Sequence, residues 1–276
     1  IRKSFMKKIY NFFENIRDKY IGASSYKKNI LTMVGGRIIA QSIPILLTPL
    51  LTRIYSPAEF GTFAVFSSIV AIVAMISNGR YCLAIILPKK DQNAQKLVSI
   101  SSIFTIIIAT IFGLLSLLYG EVFFSLLGAD VLNSYILVII LSILFVGLYE
   151  PLFYYGLREK KYKVLASNFI WQSLTLISIR LLLGYLGYTE FGLLISYLLS
   201  NLVSFVLLSW RLKIPRKRHI FNGNSKLLLK RYINFPKFSL LGDSLSVLNS
   251  TGPNLLMNST FGSLNTGYLN LSDKVL

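Results

Sequence analysis

Residues 46–63, LLTPLLTRIYSPAEFGTF, join two long apolar runs through one short polar break. Within the break, Pro57 fixes φ and Gly61 adds no side chain. Ser56 and Glu59 suit an N-cap and an acidic first turn for the helix that follows. The stretch therefore reads as a tight turn between two helices of a polytopic all-α protein. About 20 apolar residues cross a bilayer, and working outward from the turn gives runs of that length. They lie near 30–52, 60–87, 97–119, 133–156, 165–186, 190–210 and 237–260, with an eighth starting near Gly267.

Composition agrees. Hydrophobic residues make up 54% of the chain and charged residues 14%, where a soluble domain has about 45–50% and 25%. The mean hydropathy is +0.60. The net charge of +18 could suggest a nucleic-acid partner, but 25 of the 29 Lys and Arg precede Asn29 or fall at 80–96, 158–163 and 211–237. Glu59, Glu121, Asp130 and Glu190 lie in the alternate loops. This is the positive-inside pattern. It predicts a multi-pass protein of the cytoplasmic (inner) membrane with a cytoplasmic N-terminus, and no nucleic-acid partner.

The expected organisation is a basic amphipathic segment at 1–29, six transmembrane helices at 30–210, a basic linker at 211–236, and the first helices of a second set at 237–276. The segment before the first span alternates Phe, Ile and Tyr with Lys and Arg at near-helical spacing and suits an anionic leaflet. The chain opens on Ile1 and ends inside an apolar run, so a longer protein is expected. Cys82 is the one cysteine and His219 the one histidine, which leaves no pattern for a metal, a disulfide or a catalytic histidine. No cofactor and no enzymatic activity are expected. Asn249, Asn258 and Asn270 open glycosylation-like triplets but fall in or near spans, and are discounted.

The polar residues inside the spans are few. On the first, Arg37, Gln41, Pro44 and Thr48 share one face, since a helix turns about 100° per residue. A charge at that depth faces a protein interior or an aqueous cavity, and Pro44 and Pro49 free carbonyls that could line one. On the seventh, Asp243, Ser246, Ser250 and Asn254 share a face interrupted by Gly252 and Pro253. Asn168, Gln172 and Thr175 form a stripe on the fifth span, with Arg180 on another face. Glu150 precedes Pro151 in the fourth and reads equally as a protonatable group or part of a kink.

Sliding the chain by 206 residues places Gly36 on Gly242, Leu50 on Leu256 and Gly61 on Gly267. The two interrupted polar spans then superpose, with Arg37 on Asp243. Six spans separate the copies, which describes a parallel repeat about an axis along the membrane normal.

LLTPLLTRIYSPAEFGTFAVFSSIV (46–70), NGRYCLAIILPKKDQNAQKLVSIS (78–101) and GSLNTGYLNLSDKVL (262–276) resemble the polysaccharide-biosynthesis flippases. These are O-antigen and capsule repeat-unit translocators of the multidrug/oligosaccharidyl-lipid/polysaccharide exporter superfamily. The family usually places an acid after the Arg-Tyr pair, where this chain has Cys82, so an ion pair from Arg80 at that point is in doubt.

The resemblance implies two six-helix lobes around a central cavity and flipping of a polyprenyl-pyrophosphate-linked oligosaccharide. It also implies coupling to a proton or sodium gradient, and association with the polymerase and chain-length machinery of O-antigen, capsule or lipopolysaccharide assembly. A pyrophosphate suits bidentate arginine, which makes Arg37, Arg180, Lys274 and Arg80 candidate substrate contacts, with Gln41 and Asn254 beside them. Asp243, Glu150 and Asp273 are candidates for coupling or gating, with an Arg37–Asp243 ion pair across the lobes as the expected gate. A multidrug exporter of the same fold is the alternative.

Overall fold

The computed structural model describes residues 30–213 and 224–275. The expected amphipathic segment at 1–29, and His219 within the basic linker, lie outside the described residues. Helices and turns account for the rest, with no strand among the described residues. Among the described residues, six helices are long and apolar enough to cross a membrane.

Helix α1 runs Ile30–Ile54 and α2 runs Pro57–Ser77. The turn between them closes as a full capping box. The Ser56 hydroxyl accepts from the Glu59 N–H at 3.3 Å, and the Glu59 carboxylate accepts from the Ser56 N–H at 2.6 Å. Two orphan donors at the helix start are thereby satisfied.

The second span, expected to reach residue 87, stops at Ser77. Gly79 and Arg80 both adopt φ of +57°, which a right-handed helix cannot continue. A 3₁₀ segment, Tyr81–Ile86, follows instead. Helix α3, Asp91–Leu126, has 36 residues. At 1.5 Å per residue it is about 54 Å long, more than the ~30 Å hydrocarbon core requires.

After a short 3₁₀ turn, Asp130–Tyr135, come α4 (Ile136–Arg158), α5 (Tyr162–Tyr185) and α6 (Thr189–Leu212). The short α7 (Asn224–Arg231) and a π turn (Phe235–Ser239) lead into α8 (Leu240–Val275). Two spans were expected there, with the second starting near Gly267. Helix α8 runs through both positions with a break at Gly262, of φ 79° and ψ 174°. Its Asp, Ser and Asn content keeps it out of the six helices apolar enough to cross.

Neighbouring helices reach the carbonyls that Pro44 and Pro151 release. Pro44 has no N–H for the Ala40 carbonyl, and the Ser173 hydroxyl of α5 donates to that oxygen at 2.6 Å. Pro151 likewise frees the Gly147 carbonyl in α4, and the Thr105 hydroxyl of α3 reaches it at 3.3 Å. Gly147 makes room for this, since a Cβ there would strike Ser77 and Thr105. The Ala40 carbonyl thus ties α1 to α5, where the sequence suggested a cavity lining.

Helices α5 and α6, α3 and α4, and α4 and α6 pack in pairs, and α2 packs along α8. One core cluster gathers Tyr55, Phe60, Phe66, Phe124 and Ile139 towards the α1–α2 turn. A second gathers Tyr81, Cys82, Leu97, Tyr155 and Leu165 at the opposite end, where the basic loops lie.

The α2–α8 contact carries the 206-residue register. A Cβ on Gly61 would collide with the Ser263 carbonyl, and one on Gly267 would collide with the Pro57 carbonyl. Position 57 maps onto 263 and 61 onto 267, so the two approaches are reciprocal, as a two-fold axis between the helices requires. Small residues four apart permit such close backbone packing.

Candidate functional site

A cavity of about 470 Å³ opens among α1, α4, α5 and α6. The polar face of α1 supplies Arg37 and Gln41, and Pro44 stands beside them. Ile38 and Leu46, on the other face, are exposed. Facing Arg37 are Tyr149, Glu150, Phe153 and Tyr154 of α4, Phe169 and Gln172 of α5, and Tyr197, Ser200 and Asn201 of α6.

The aromatic wall is continuous. Tyr149 and Phe153 lie 6.0 Å apart between ring centroids, Phe153 and Tyr154 5.7 Å, and Phe153 and Phe169 5.8 Å. The Arg37 guanidinium sits 5.5 Å from the Phe169 ring centroid, within cation–π range, while the residue stays exposed. The amide wall is fixed by hydrogen bonds between helices. Gln172 donates to the Asn201 side-chain Oδ1 at 3.0 Å, and Asn168, one turn away, donates to the Ser204 backbone carbonyl at 2.9 Å. The stripe on α5 therefore both ties helices and, through Gln172, lines the cavity.

Glu150 belongs to the cavity wall and also to a cluster beside it. Asn78, just past the end of α2, donates a short hydrogen bond to its carboxylate. The Asn78 side-chain oxygen Oδ1 accepts from the Arg80 backbone N–H at 2.9 Å, which holds Arg80 in its left-handed conformation. The Cys82 thiol lies 3.3 Å from Asn78 and 3.7 Å from Glu150. Burial, and then the Glu150 charge, push that thiol up, so Cys82 acts as a neutral donor.

The Arg80 side chain spans two carboxylates. Its Nη1 lies 3.9 Å from Glu150 Oε2, and its Nε lies 2.9 Å from Asp243 Oδ2 at the start of α8. The ion pair expected between Arg37 and Asp243 is therefore corrected: Asp243 faces Arg80. The break after Ser77 turns Arg80 towards α8, whereas Arg37 stays on the cavity face of α1. The missing acid after the Arg-Tyr pair leaves Arg80 well supplied, because α4 and α8 provide carboxylates. Nε has no hydrogen-bond partner of good angle, so the contact with Asp243 is one of charges at short range.

The other candidates are dispersed. Arg180 is 4% exposed, donates to the Ser196 hydroxyl at 3.0 Å and lies 4.5 Å from the Phe63 ring centroid. Its backbone carbonyl accepts from the Tyr55 hydroxyl at 2.6 Å. It binds helices together and does not reach the cavity. Asn254 is 9% exposed, on α8 and away from the cavity. Asp273 is exposed near the end of α8, and the Lys274 side chain lies outside the described residues. Arg53 is exposed beside the α1–α2 turn.

Sequence reasoning missed Asn78 and the aromatic wall. Asn78 closes an apolar run beside a glycine, a position that signals a helix end. Tyr149, Phe153 and Phe169 look like any lipid-facing aromatics until the helices are packed.

Residues 50–276 match a family model described as polysaccharide biosynthesis protein. The match begins after Arg37 and Gln41. No curated protein and no solved structure matches the chain.

Proposed function

Because the chain belongs to this polysaccharide biosynthesis protein family, we propose that it translocates a lipid-linked oligosaccharide from the cytoplasmic to the outer leaflet by alternating access. The observation that carries this reading is the cavity among membrane-spanning helices, with Arg37 exposed in a wall rich in aromatic and amide side chains, where, among the described residues, Glu150 is the one carboxylate. A polyprenyl pyrophosphate presents a dense patch of acceptors, and a guanidinium binds such oxygens in a fork. Aromatic faces and amides suit sugar rings, which offer apolar faces and hydroxyl edges. Arg37 takes the head group, with Gln41 beside it, and Arg80 meets it at the cytoplasmic entrance. Glu150 and Asp243 serve coupling and gating, with a proton or sodium gradient as the driving force. The basic loops face the cytoplasm, and the carrier delivers to the assembly machinery outside.

Depletion of the full-length protein tests this. Lipid-linked oligosaccharide is expected to accumulate on the cytoplasmic leaflet, hidden from a membrane-impermeant sugar probe, and wild type but not Arg37→Ala should rescue it. Normal appearance on the outer leaflet would overturn the reading. The aromatic wall would then favour export of apolar small molecules.

A further inference from the structure

Arg80 is one cation between two carboxylates that belong to different parts of the molecule. Glu150 lines the first-lobe cavity, while Asp243 stands at the start of α8, the helix packed along α2. We infer that Glu150 and Asp243 compete for the Arg80 guanidinium, so that the charge carried at Glu150 sets how firmly Asp243 latches α8 to the first lobe at the basic end. The inference rests on the alternating-access reading and names the regulation of that site.

Charge counting gives the direction. With Glu150 ionised and Asp243 docked, the cluster holds two negative charges and one positive, so docking brings like charges together. With Glu150 neutralised, by a proton or by a cation in the cavity, Arg80 and Asp243 form a balanced pair and the latch tightens. An anion at the cavity mouth acts in the opposite sense, because it draws Arg80 away from Asp243. The ionisable groups facing Glu150 are Arg80 and Cys82 from the 3₁₀ segment, Asp243 from α8, and Tyr149 and Tyr154 on α4. Arg37 faces it across the cavity from α1. Asn78 holds Glu150 in place by side-chain donation and Arg80 by side-chain acceptance, which makes it a positioning residue for both. Asp243 is more exposed than Arg80, with side-chain accessibilities of 39% and 12%, so the carboxylate can leave while the guanidinium stays seated.

The test uses full-length protein carrying Cys82→Ser in lipid nanodiscs, with spin labels at Lys90→Cys and Leu241→Cys. Both positions are exposed and flank the latch. The pulsed electron resonance distance distribution gives the ratio of closed to open populations. Glu150→Gln should raise that ratio by about fivefold or more, the lower end of usual coupling between sites. Asp243→Asn should abolish the closed population, and Glu150→Gln/Asp243→Asn should match Asp243→Asn alone. A Glu150→Gln ratio that is unchanged or lower, or a shift that persists without Asp243, would overturn the inference. Should Glu150→Gln fail to fold, Asn78→Asp supplies the opposite perturbation: an added carboxylate beside Arg80 should lower the ratio only when Asp243 is present, and any other result counts against the latch. The populations are read without substrate. A failed latch therefore leaves flipping standing, and failed flipping leaves the latch standing.

Discussion

Single residues decide how this chain carries proline and charge through an apolar solvent. In hydrocarbon a freed carbonyl has no water to turn to, so the Ser173 hydroxyl satisfies the carbonyl released by Pro44, and the Thr105 hydroxyl, shared with the Ser101 carbonyl at 3.1 Å, reaches the one released by Pro151 at 3.3 Å. Thr105→Val keeps the shape and removes the donor. It should lower stability by about 1 kcal/mol, the usual size of a hydrogen bond between membrane helices, while Thr105→Ser should stay near wild type. Thermal unfolding in detergent checks both. Arg37 shows what was legible at this scale: its face on α1 followed from helical spacing alone, and the structure places that face on the cavity. The partner of Asp243 was not legible. It depends on two left-handed residues, Gly79 and Arg80, in a stretch whose hydropathy reads as continuous span.

Among elements, the decisive contact is α2 against α8. The reciprocal approaches of Gly61 to Ser263 and of Gly267 to Pro57 leave no room for side chains. Gly61→Leu and Gly267→Leu should each cost about 1–3 kcal/mol by overpacking, and the double variant less than their sum, because one contact is lost in both cases. Gly242→Ala is the control, as nothing lies within 4 Å of a Cβ there, and unfolding midpoints decide the matter. Equal, additive losses at all three positions would deny the reciprocal contact. The first six spans were readable from hydropathy, and the α1–α2 turn from Ser56, Pro57 and Glu59, whereas α8 is too polar to count among the apolar helices. The ends were less so: apolar 3₁₀ residues such as Ile85 count towards a span, and α3 continues through Asp91 and Lys96 beyond the hydrocarbon. The register of 206 rested on three identities in the sequence, whereas in the structure it rests on two matched contacts.

Across the molecule, an arginine-bearing cavity among α1, α4, α5 and α6 lies next to a charge cluster that reaches α8. In the proposed translocation, an anionic head group in the cavity would disturb the Arg80–Asp243 contact with α8 through shared charges. The cavity was only partly legible, because its aromatic wall comes from α4, α5 and α6 at once and no single helix pattern marks it. The central claim is translocation through this cavity with Arg37 as the head-group contact. Its most direct measurement is the flipping rate of a fluorescent polyprenyl-pyrophosphate oligosaccharide in vesicles containing the purified full-length protein. Wild type is expected to flip rapidly, Arg37→Ala to lose at least tenfold, corresponding to about 1.4 kcal/mol, and Arg37→Lys to recover part of the rate. Equal rates in wild type, Arg37→Ala and protein-free vesicles would contradict the claim.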